Sequence, residues 1–483
     1  MLFNSFQFLY LFLPFALLAM VFTRRLRPSL GTAVMTVLSL IFYATWALNQ
    51  LWLLIASVCL NFLAGKVLSS STRHRGSVLG AAVSGNLAVL GLFKYAGFAV
   101  HSLDRFFGLS IPSPHWALPL GISFYTFTQI TFLVDVYRGI AQAKNPVNYG
   151  LFVTFFPHLV AGPILHHGEM IPQFERPEAF RFRSLPFARG LTLFALGMAK
   201  KALIADTLAP TVNQSFDALS RPEGLGFLAA WTAALGYTFQ LYFDFSGYCD
   251  MALGLSELFG IRLPVNFNSP YKAASIIDFW RRWHMTLSAL LRDYLYFPLG
   301  GNRKGAARRW INLGITMILG GLWHGAQWTF VAWGAFHGLL LGINHAWRTL
   351  TGGGKTPARL TVSLPRPIAI AFTFGATTAG WVLFRAPSLT AARRMLGSMT
   401  GFGGETPAPF STQGHFLPAL AIAALIAWCL PNTAEIFGLL EQPCEPKFMF
   451  WRPSHAWAGA GAALLVGSIL LLNRSSQFLY FNF

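Results

Sequence analysis

The heptapeptide Gly-Gly-Leu-Trp-His-Gly-Ala at positions 320–326 places one histidine, His324, inside an apolar stretch. An ionisable side chain in such a stretch needs a partner or a cavity. Neutral imidazole accepts a proton from a hydroxyl group, so His324 is a candidate general base. The flanking glycines let another backbone, or a thin substrate arm, come close. The alternative is a histidine that only hydrogen-bonds between helices.

A second polar group lies upstream and contains Asp278, Arg281, Arg282, His284 and Ser288. On a helix, Asp278 and Arg282 are four residues apart, as are His284 and Ser288. We therefore expect two polar pairs that point into one cavity. In the alternative interpretation, Arg281 and Arg282 only mark the side of the membrane.

The 242–250 segment adds Asp244 and Asp250 within a long apolar helix. They are expected to line the same cavity, and they either orient a catalytic group or satisfy an arginine or a helix end. His337 and His345 are interpreted as structural. The four cysteines lack metal-ligand spacing, so no metal site is predicted.

Composition predicts a membrane protein. Of the 483 residues, 54% are hydrophobic and 11% are charged, against about 25% charged in soluble proteins. Apolar stretches long enough to cross a bilayer recur along the chain. The net charge of +19 comes from short clusters between these stretches, a pattern that indicates positive-inside topology and not nucleic-acid binding. Arg24, Arg25 and Arg27 follow the first span, which predicts an outside N-terminus without a cleaved signal peptide.

The predicted fold is an all-α transmembrane bundle of about 11 to 12 spans in one domain, 1–483. The spans are expected near 6–22, 29–48, 51–66, 78–102, 117–138, 185–212, 225–258, 310–331, 332–348, 367–385, 415–431 and 456–473. Residues 149–165 contain Pro157, Gly162 and Pro163 and are predicted to form a re-entrant hairpin beside an internal cavity. The polar 261–309 region is expected on the cytosolic face, the catalytic core within 118–348, and 386–414 outside.

These motifs resemble the membrane-bound O-acyltransferase family, in the branch that acetylates polysaccharides such as alginate. The resemblance is spread over most of the chain. The matching segments are Gly121–Phe127, Phe156–Pro163, Tyr242–Asp250, Asn266–Tyr271, Asp278–Ser288, Pro298–Arg303 and Gly320–Ala326.

The resemblance implies helices around a central funnel or tunnel that opens to the cytosol. It implies that His324 is the family's invariant histidine and that His284 belongs to its second histidine motif. The expected substrate-lining residues are Asp278, Arg281, Arg282, Ser288, Trp323, Asp244 and Asn268. No bound cofactor is expected.

Members of this branch move an acetyl group from cytosolic acetyl-CoA across the bacterial inner membrane. The acceptor is extracytoplasmic, and a partner protein commonly completes the transfer to a polysaccharide. In this hypothesis His324 activates the acceptor and His284 helps to position or polarise the acyl group. Two alternatives stay open: D-alanyl transfer from a carrier protein to teichoic acid, and a transporter of glycans or lipids with histidines as proton relays.

Overall fold

A computed structural model describes most of the chain. The residues outside the description are 24–27, 71–73, 113, 115, 177, 221–224, 352–363, 403–413, 441–448, 475–477 and 480–483. Arg24, Arg25 and Arg27, which led to the predicted orientation, are among them. The described part is helical and contains no strand, which confirms the all-α prediction.

The chain divides into two compact units. Unit 1 comprises Met1–Met198, Tyr248–Pro264 and Arg452–Leu472, and unit 2 comprises Ala199–Gly247, Val265–Trp451 and Asn473–Phe483. The helices of unit 1 are α1 (Leu13–Thr23), α2 (Pro28–Ala47), α3 (Leu51–Ser70), α4 (Arg75–Leu90), α5 (Ala96–Phe107), α6 (Ile122–Tyr137), α7 (Pro146–Thr154), α8 (His167–Phe174) and α9 (Ser184–Ala199), with α20 (His455–Leu470). The single domain over 1–483 stays a prediction.

Unit 2 holds the histidine motifs. Its helices are α10 (Asp206–Ala218), most of α11 (Phe227–Leu258), α12 (Ile276–Trp280), α13 (Met285–Leu291), α14 (Gly305–His324), α15 (Trp328–Leu350), α16 (Arg366–Arg385), α17 (Leu389–Met399), α18 (Phe416–Cys429) and α19 (Thr433–Ile436). Short π-helical segments occur at Phe8–Phe12, Gly91–Tyr95, Lys200–Ala205 and Arg292–Tyr296, and 3₁₀ segments at Leu48–Gln50, Pro270–Lys272 and Leu472–Arg474.

Three helical stretches of the described chain are long and apolar enough to cross a membrane: Leu30–Ser70, Arg75–Phe107 and Arg366–Arg385. Shorter apolar helices cover Phe8–Thr23, Phe416–Cys429 and His455–Leu470. The helices fall where the apolar pattern predicts them, within a few residues. Many large side chains on these stretches are exposed, as expected for surfaces that face lipid.

The apolar pattern misplaced the boundary between the spans predicted at 310–331 and 332–348. The first of these two spans was predicted to continue to residue 331, but α14 ends at His324. Gly325 and Gln327 adopt extended conformations, and α15 starts at Trp328. Ala326, Trp328 and Phe330 are all hydrophobic, so hydropathy alone gives no sign of the turn.

Residues 278–288 do not form one continuous helix, so the helical spacing considered for the two polar pairs does not extend through the whole segment. Helix α12 ends at Trp280, α13 begins at Met285, and His284 between them has a left-handed backbone with φ of 43°. Two backbone hydrogen bonds hold this turn: Met285 donates to the carbonyl of Asn266, and Asn268 donates to that of Arg282. A left-handed non-glycine residue is costly, so the neighbouring segment must impose it.

Two other irregular segments were expected. Helix α7 begins after the Asn145 cap and ends at Thr154, and the following turns through Leu165 are buried within unit 1. The 386–414 segment, predicted as a loop, contains the amphipathic helix α17, which Ser388 caps. Its extracytoplasmic position stays a prediction.

Close packing between α14 and α15 places His324. A Cβ atom added at Gly321 would lie 2.2 Å from the carbonyl oxygen of Phe330, and one added at Gly334 would lie 2.3 Å from that of Met317. Gly325 likewise leaves space for the Phe330 ring, 2.1 Å from its ideal Cβ position. The glycines beside His324 thus admit another backbone, one of the two possibilities that the sequence suggested.

We expect Gly334→Ala to destabilise unit 2, because its methyl group would overlap a backbone carbonyl that cannot rotate away. The cost of such overpacking is about 1–3 kcal/mol. Gly342→Ala on the same helix is the matched control, since a Cβ there meets nothing within 4 Å, and alanine should stabilise the helix by about 0.5–1 kcal/mol. Thermal unfolding in detergent measures both, and equal unfolding temperatures would contradict this packing.

Candidate active site

His324 lies at the last position of α14 and is 4% exposed. Three aromatic rings surround its imidazole, with centroids at 4.9 Å for Trp323, 5.2 Å for Trp333 and 5.1 Å for Phe384. All three meet it at steep interplanar angles of 71° to 87°. The rings of Trp323, Trp333 and Phe384 thus form much of the wall around the imidazole.

His284 is fully buried in the turn between α12 and α13. The ring centroid of His284 lies 6.4 Å from that of His324 and 6.0 Å from that of Trp323. Phe245 of α11 covers another edge at 4.8 Å. The structure thus brings together His324, His284 and Trp323, three residues that the sequence placed at the site.

The side chain of Asn266 fixes the protonation of His284. Its Oδ1 accepts the backbone N–H of Thr286 at 3.2 Å and the Thr286 hydroxyl at 2.9 Å. Because a backbone N–H can only donate, this atom is the oxygen of the amide. The Nδ1 atom of His284, 3.1 Å from the same oxygen, must then carry its proton. The Nε2 atom is left as the basic nitrogen.

His284 lies in the region between α11 and α14, where no helix is long enough to span a membrane. Burial lowers the pKa of its imidazole to about 3. The ring is therefore neutral at physiological pH. A neutral ring with hydrogen on Nδ1 accepts a hydrogen bond at Nε2, which suits it to hold a hydroxyl group.

The other predicted lining residues are anchored near the His284 turn. Asp278 and Arg282 form the ion pair that their spacing predicts, with Nε to Oδ1 at 2.8 Å. Arg282 also donates to the carbonyl of Asn268 at 3.3 Å, and Asn432 donates to the side chain of Asn268 at 3.0 Å. Arg281 is exposed. Their role in binding substrate stays a prediction.

The expected pairing of His284 with Ser288 takes a different form. The backbone N–H of Ser288 donates to the carbonyl of His284 at 3.0 Å, and the Ser288 hydroxyl donates to the carbonyl of Trp283 at 3.4 Å. These bonds belong to the first turn of α13, so their immediate effect is structural.

Asp244 lies in a buried charge cluster. The ammonium group of Lys201 is 2.7 Å from Asp244 and 2.8 Å from Asp206, and all three side chains are nearly inaccessible. Asp244 also accepts the backbone N–H of Leu479 at 2.9 Å, and the ring of Phe478 covers the Lys201 ammonium group. A carboxylate that satisfies a cation was one expectation for Asp244, although the cation is a lysine.

Three residues that were not predicted at the site lie beside the histidines. Trp280, Trp333 and His337 form an aromatic group, here called the indole cluster, whose ring centroids lie 4.9 to 5.7 Å apart. Its Trp333 is the ring that contacts His324. His337 was interpreted as structural because it stands alone in an apolar helix, and only the tertiary contacts connect it with the site.

Unit 1 contains the one group of three potential metal ligands within the described residues, Asp135, His166 and His167. The Nε2 atoms of both histidines lie 2.9 and 3.0 Å from the same Asp135 oxygen. The backbone N–H of Gly168 donates to Nδ1 of His166, so Nε2 of His166 carries the hydrogen and donates to Asp135. Hydrogen bonding and the nearby Arg138 account for this geometry.

Lys201→Met should strongly destabilise the fold, because it leaves the Asp206 and Asp244 carboxylates buried beside each other without a cation. Removal of one partner from such a group costs about 3–5 kcal/mol. The neighbouring Lys200→Met is the control, since the hydrogen bond from Lys200 to the Thr433 hydroxyl is worth about 1 kcal/mol. Thermal unfolding in detergent compares them, and a similar loss in both variants would show that the buried cluster contributes little.

The chain is similar to known proteins over most of its length. Residues 38–374 match the model of the membrane-bound O-acyltransferase family. A probable alginate O-acetylase of Pseudomonas putida is 45% identical over 91% of this chain and 88% of its own length.

Two further relatives differ in their named substrates. A peptidoglycan O-acetyltransferase of Helicobacter pylori is 36% identical over 100% of this chain and 98% of its own. A teichoic acid D-alanyltransferase of Bacillus subtilis is 30% identical over 48% of this chain and 62% of its own. The family match, the long relatives and the apolar helices lead to one conclusion: the chain belongs to the membrane-bound O-acyltransferase family and is a membrane-embedded O-acyltransferase.

Proposed function

We propose that this enzyme moves an acetyl group from cytosolic acetyl-CoA across the membrane for the O-acetylation of an extracytoplasmic polysaccharide of the alginate type. The observation that carries the proposal is the pair of buried histidines, His324 and His284, whose ring centroids are 6.4 Å apart. One ligand of a few atoms can touch both rings at this distance. A buried neutral imidazole beside a bound hydroxyl group is a general base.

The chemical step uses His324 as that base. The acceptor hydroxyl oxygen attacks the carbonyl carbon of the thioester while its proton passes to His324, and the carbonyl electron pair moves onto oxygen. The tetrahedral intermediate then collapses: the carbon–sulfur bond breaks, and the departing thiolate takes the proton from His324. Atoms and charge balance, and the products are an acetyl ester and free coenzyme A.

His284 positions the acceptor in this scheme. Its Nδ1 hydrogen is directed to Asn266, so Nε2 can accept a hydrogen bond but cannot polarise a carbonyl group. Because the reacting hydroxyl gives its only proton to His324, the hydrogen bond to Nε2 comes from another hydroxyl group of the acceptor. His284 was predicted to position or polarise the acyl group; polarisation does not fit this protonation, and we propose that His284 positions the acceptor instead. The left-handed backbone at His284 supports this role, because backbone strain is often retained where a functional side chain must be aimed.

Acetyl-CoA as the acyl donor suits the charge distribution of unit 2. An exposed basic segment precedes and begins α14, whose last residue is His324. It contains Arg292, Arg303, Lys304 and Arg308. These cations suit the phosphates of coenzyme A. Asp293 already pairs with Arg292 at 2.7 Å, which leaves the later members of the segment as the stronger anion sites.

The acceptor follows from the relatives' names, which include alginate and peptidoglycan acetylation. Both are polymers outside the cytoplasm, so the acetyl group must cross the bilayer. We place the enzyme in a bacterial inner membrane with its N-terminus outside and its basic segment in the cytosol. An extracytoplasmic partner protein would complete the transfer to the polymer.

His324→Ala should abolish acetyl transfer without loss of membrane insertion, because no other group replaces the base. Inverted membrane vesicles from producing cells, supplied with acetyl-labelled acetyl-CoA, report both coenzyme A release and labelled polymer. The control is His345→Ala, on α15 but away from the indole cluster, which should retain activity.

Three results would overturn the proposal. Activity retained in His324→Ala removes this histidine from the mechanism. Wild-type vesicles that release no coenzyme A, but use D-alanine on a carrier protein, indicate the teichoic-acid reaction. Wild-type vesicles that move glycan or lipid without thioester consumption indicate a transporter.

A further inference from the structure

The indole cluster contains buried polar atoms that the protein does not satisfy. No hydrogen-bond partner among the described residues lies within reach of Nε1 of Trp280, Nε1 of Trp333 or either ring nitrogen of His337. Trp333 and His337 are 1% and 0% exposed. A buried donor without a partner destabilises the fold, so several of them in one place indicate a site for a ligand.

These atoms also share one side of α15. Thr329, Trp333 and His337 are spaced four residues apart, and the buried Thr329 hydroxyl likewise has no partner among the described residues. Residues at this spacing lie above one another on a helix. Trp280 of α12 meets the same side, with its ring 5.7 Å from Trp333 and 5.3 Å from His337.

The hydrogen-bonding character of the unsatisfied atoms indicates the type of ligand. An indole N–H can only donate a hydrogen bond, so the two tryptophans require an acceptor. The Nε2 edge of His337 faces α16, where only glycine fits: a Cβ at Gly380 would lie 2.7 Å from Nε2. A small acceptor atom is therefore the ligand that suits the two indoles.

We propose that the indole N–H groups of Trp333 and Trp280 bind the carbonyl oxygen of the acyl group being transferred. This inference rests on the proposed function of His324. The rings of Trp333 and His324 meet edge to face at 5.2 Å, so an oxygen bound to the indole belongs to a carbonyl beside the base. The negative charge that develops on this oxygen strengthens both hydrogen bonds in the transition state.

The test is Trp333→Phe in inverted membrane vesicles supplied with acetyl-CoA. The substitution keeps an aromatic ring against His324 and removes the donor. The maximal rate of coenzyme A release, per amount of folded protein, should fall about 100- to 1,000-fold, with little change in the KM for acetyl-CoA. Trp280→Phe changes a less buried ring and should lower the maximal rate in the same manner. It is the second test variant if Trp333→Phe folds poorly.

Trp231→Phe is the matched control. It removes the same atoms from an indole whose N–H donates to the carbonyl of Met399 at 2.9 Å, in the same unit, and its maximal rate should stay near the wild-type value. The proposal is overturned if Trp333→Phe and Trp280→Phe keep the wild-type maximal rate, as they would if ordered water satisfied these donors. It is also overturned if the whole loss appears in KM. Failure of the proposed function is distinct, because wild-type vesicles would then release no coenzyme A.

Discussion

The contact between α14 and α15 is the constraint on which the site depends. Two helices can approach to backbone contact only where neither has a Cβ atom in the way, and Gly321 and Gly334 meet that condition. The approach turns the end of α14 toward α15 and brings His324 against Trp333. The tight turn at 325–327 follows, since the chain must reverse within three residues.

The histidine site and the buried charge cluster of unit 2 have different surroundings. The two histidines are enclosed by aromatic rings, and His284 is oriented by an amide, not by a carboxylate. The buried carboxylates Asp206 and Asp244 are neutralised by Lys201. An apolar surrounding with a few oriented donors is the arrangement in which a hydrogen bond to a developing charge is worth most, because no water competes with it.

Hydropathy predicted the helices and the class of protein, since the period and length of apolar stretches depend on local sequence alone. The motifs also predicted His324 and His284 as site residues, and the spacing of Asp278 and Arg282 predicted a polar pair. The sequence did not predict the left-handed turn at His284, which the distant Asn266 segment imposes. Nor did it predict Lys201 beside Asp244, or the indole cluster, because these contacts join residues far apart in the chain.

In the proposed reaction the acyl carbonyl lies beside both His324 and the indole of Trp333. An experimental structure with an acetyl-CoA analogue, in which a methylene group replaces the thioester sulfur, would show this position. We expect the carbonyl oxygen at about 3 Å from Nε1 of Trp333, with the acetyl group beside His324 and the phosphates on the exposed basic segment. An acetyl group bound out of contact with both His324 and Trp333 would contradict this expectation.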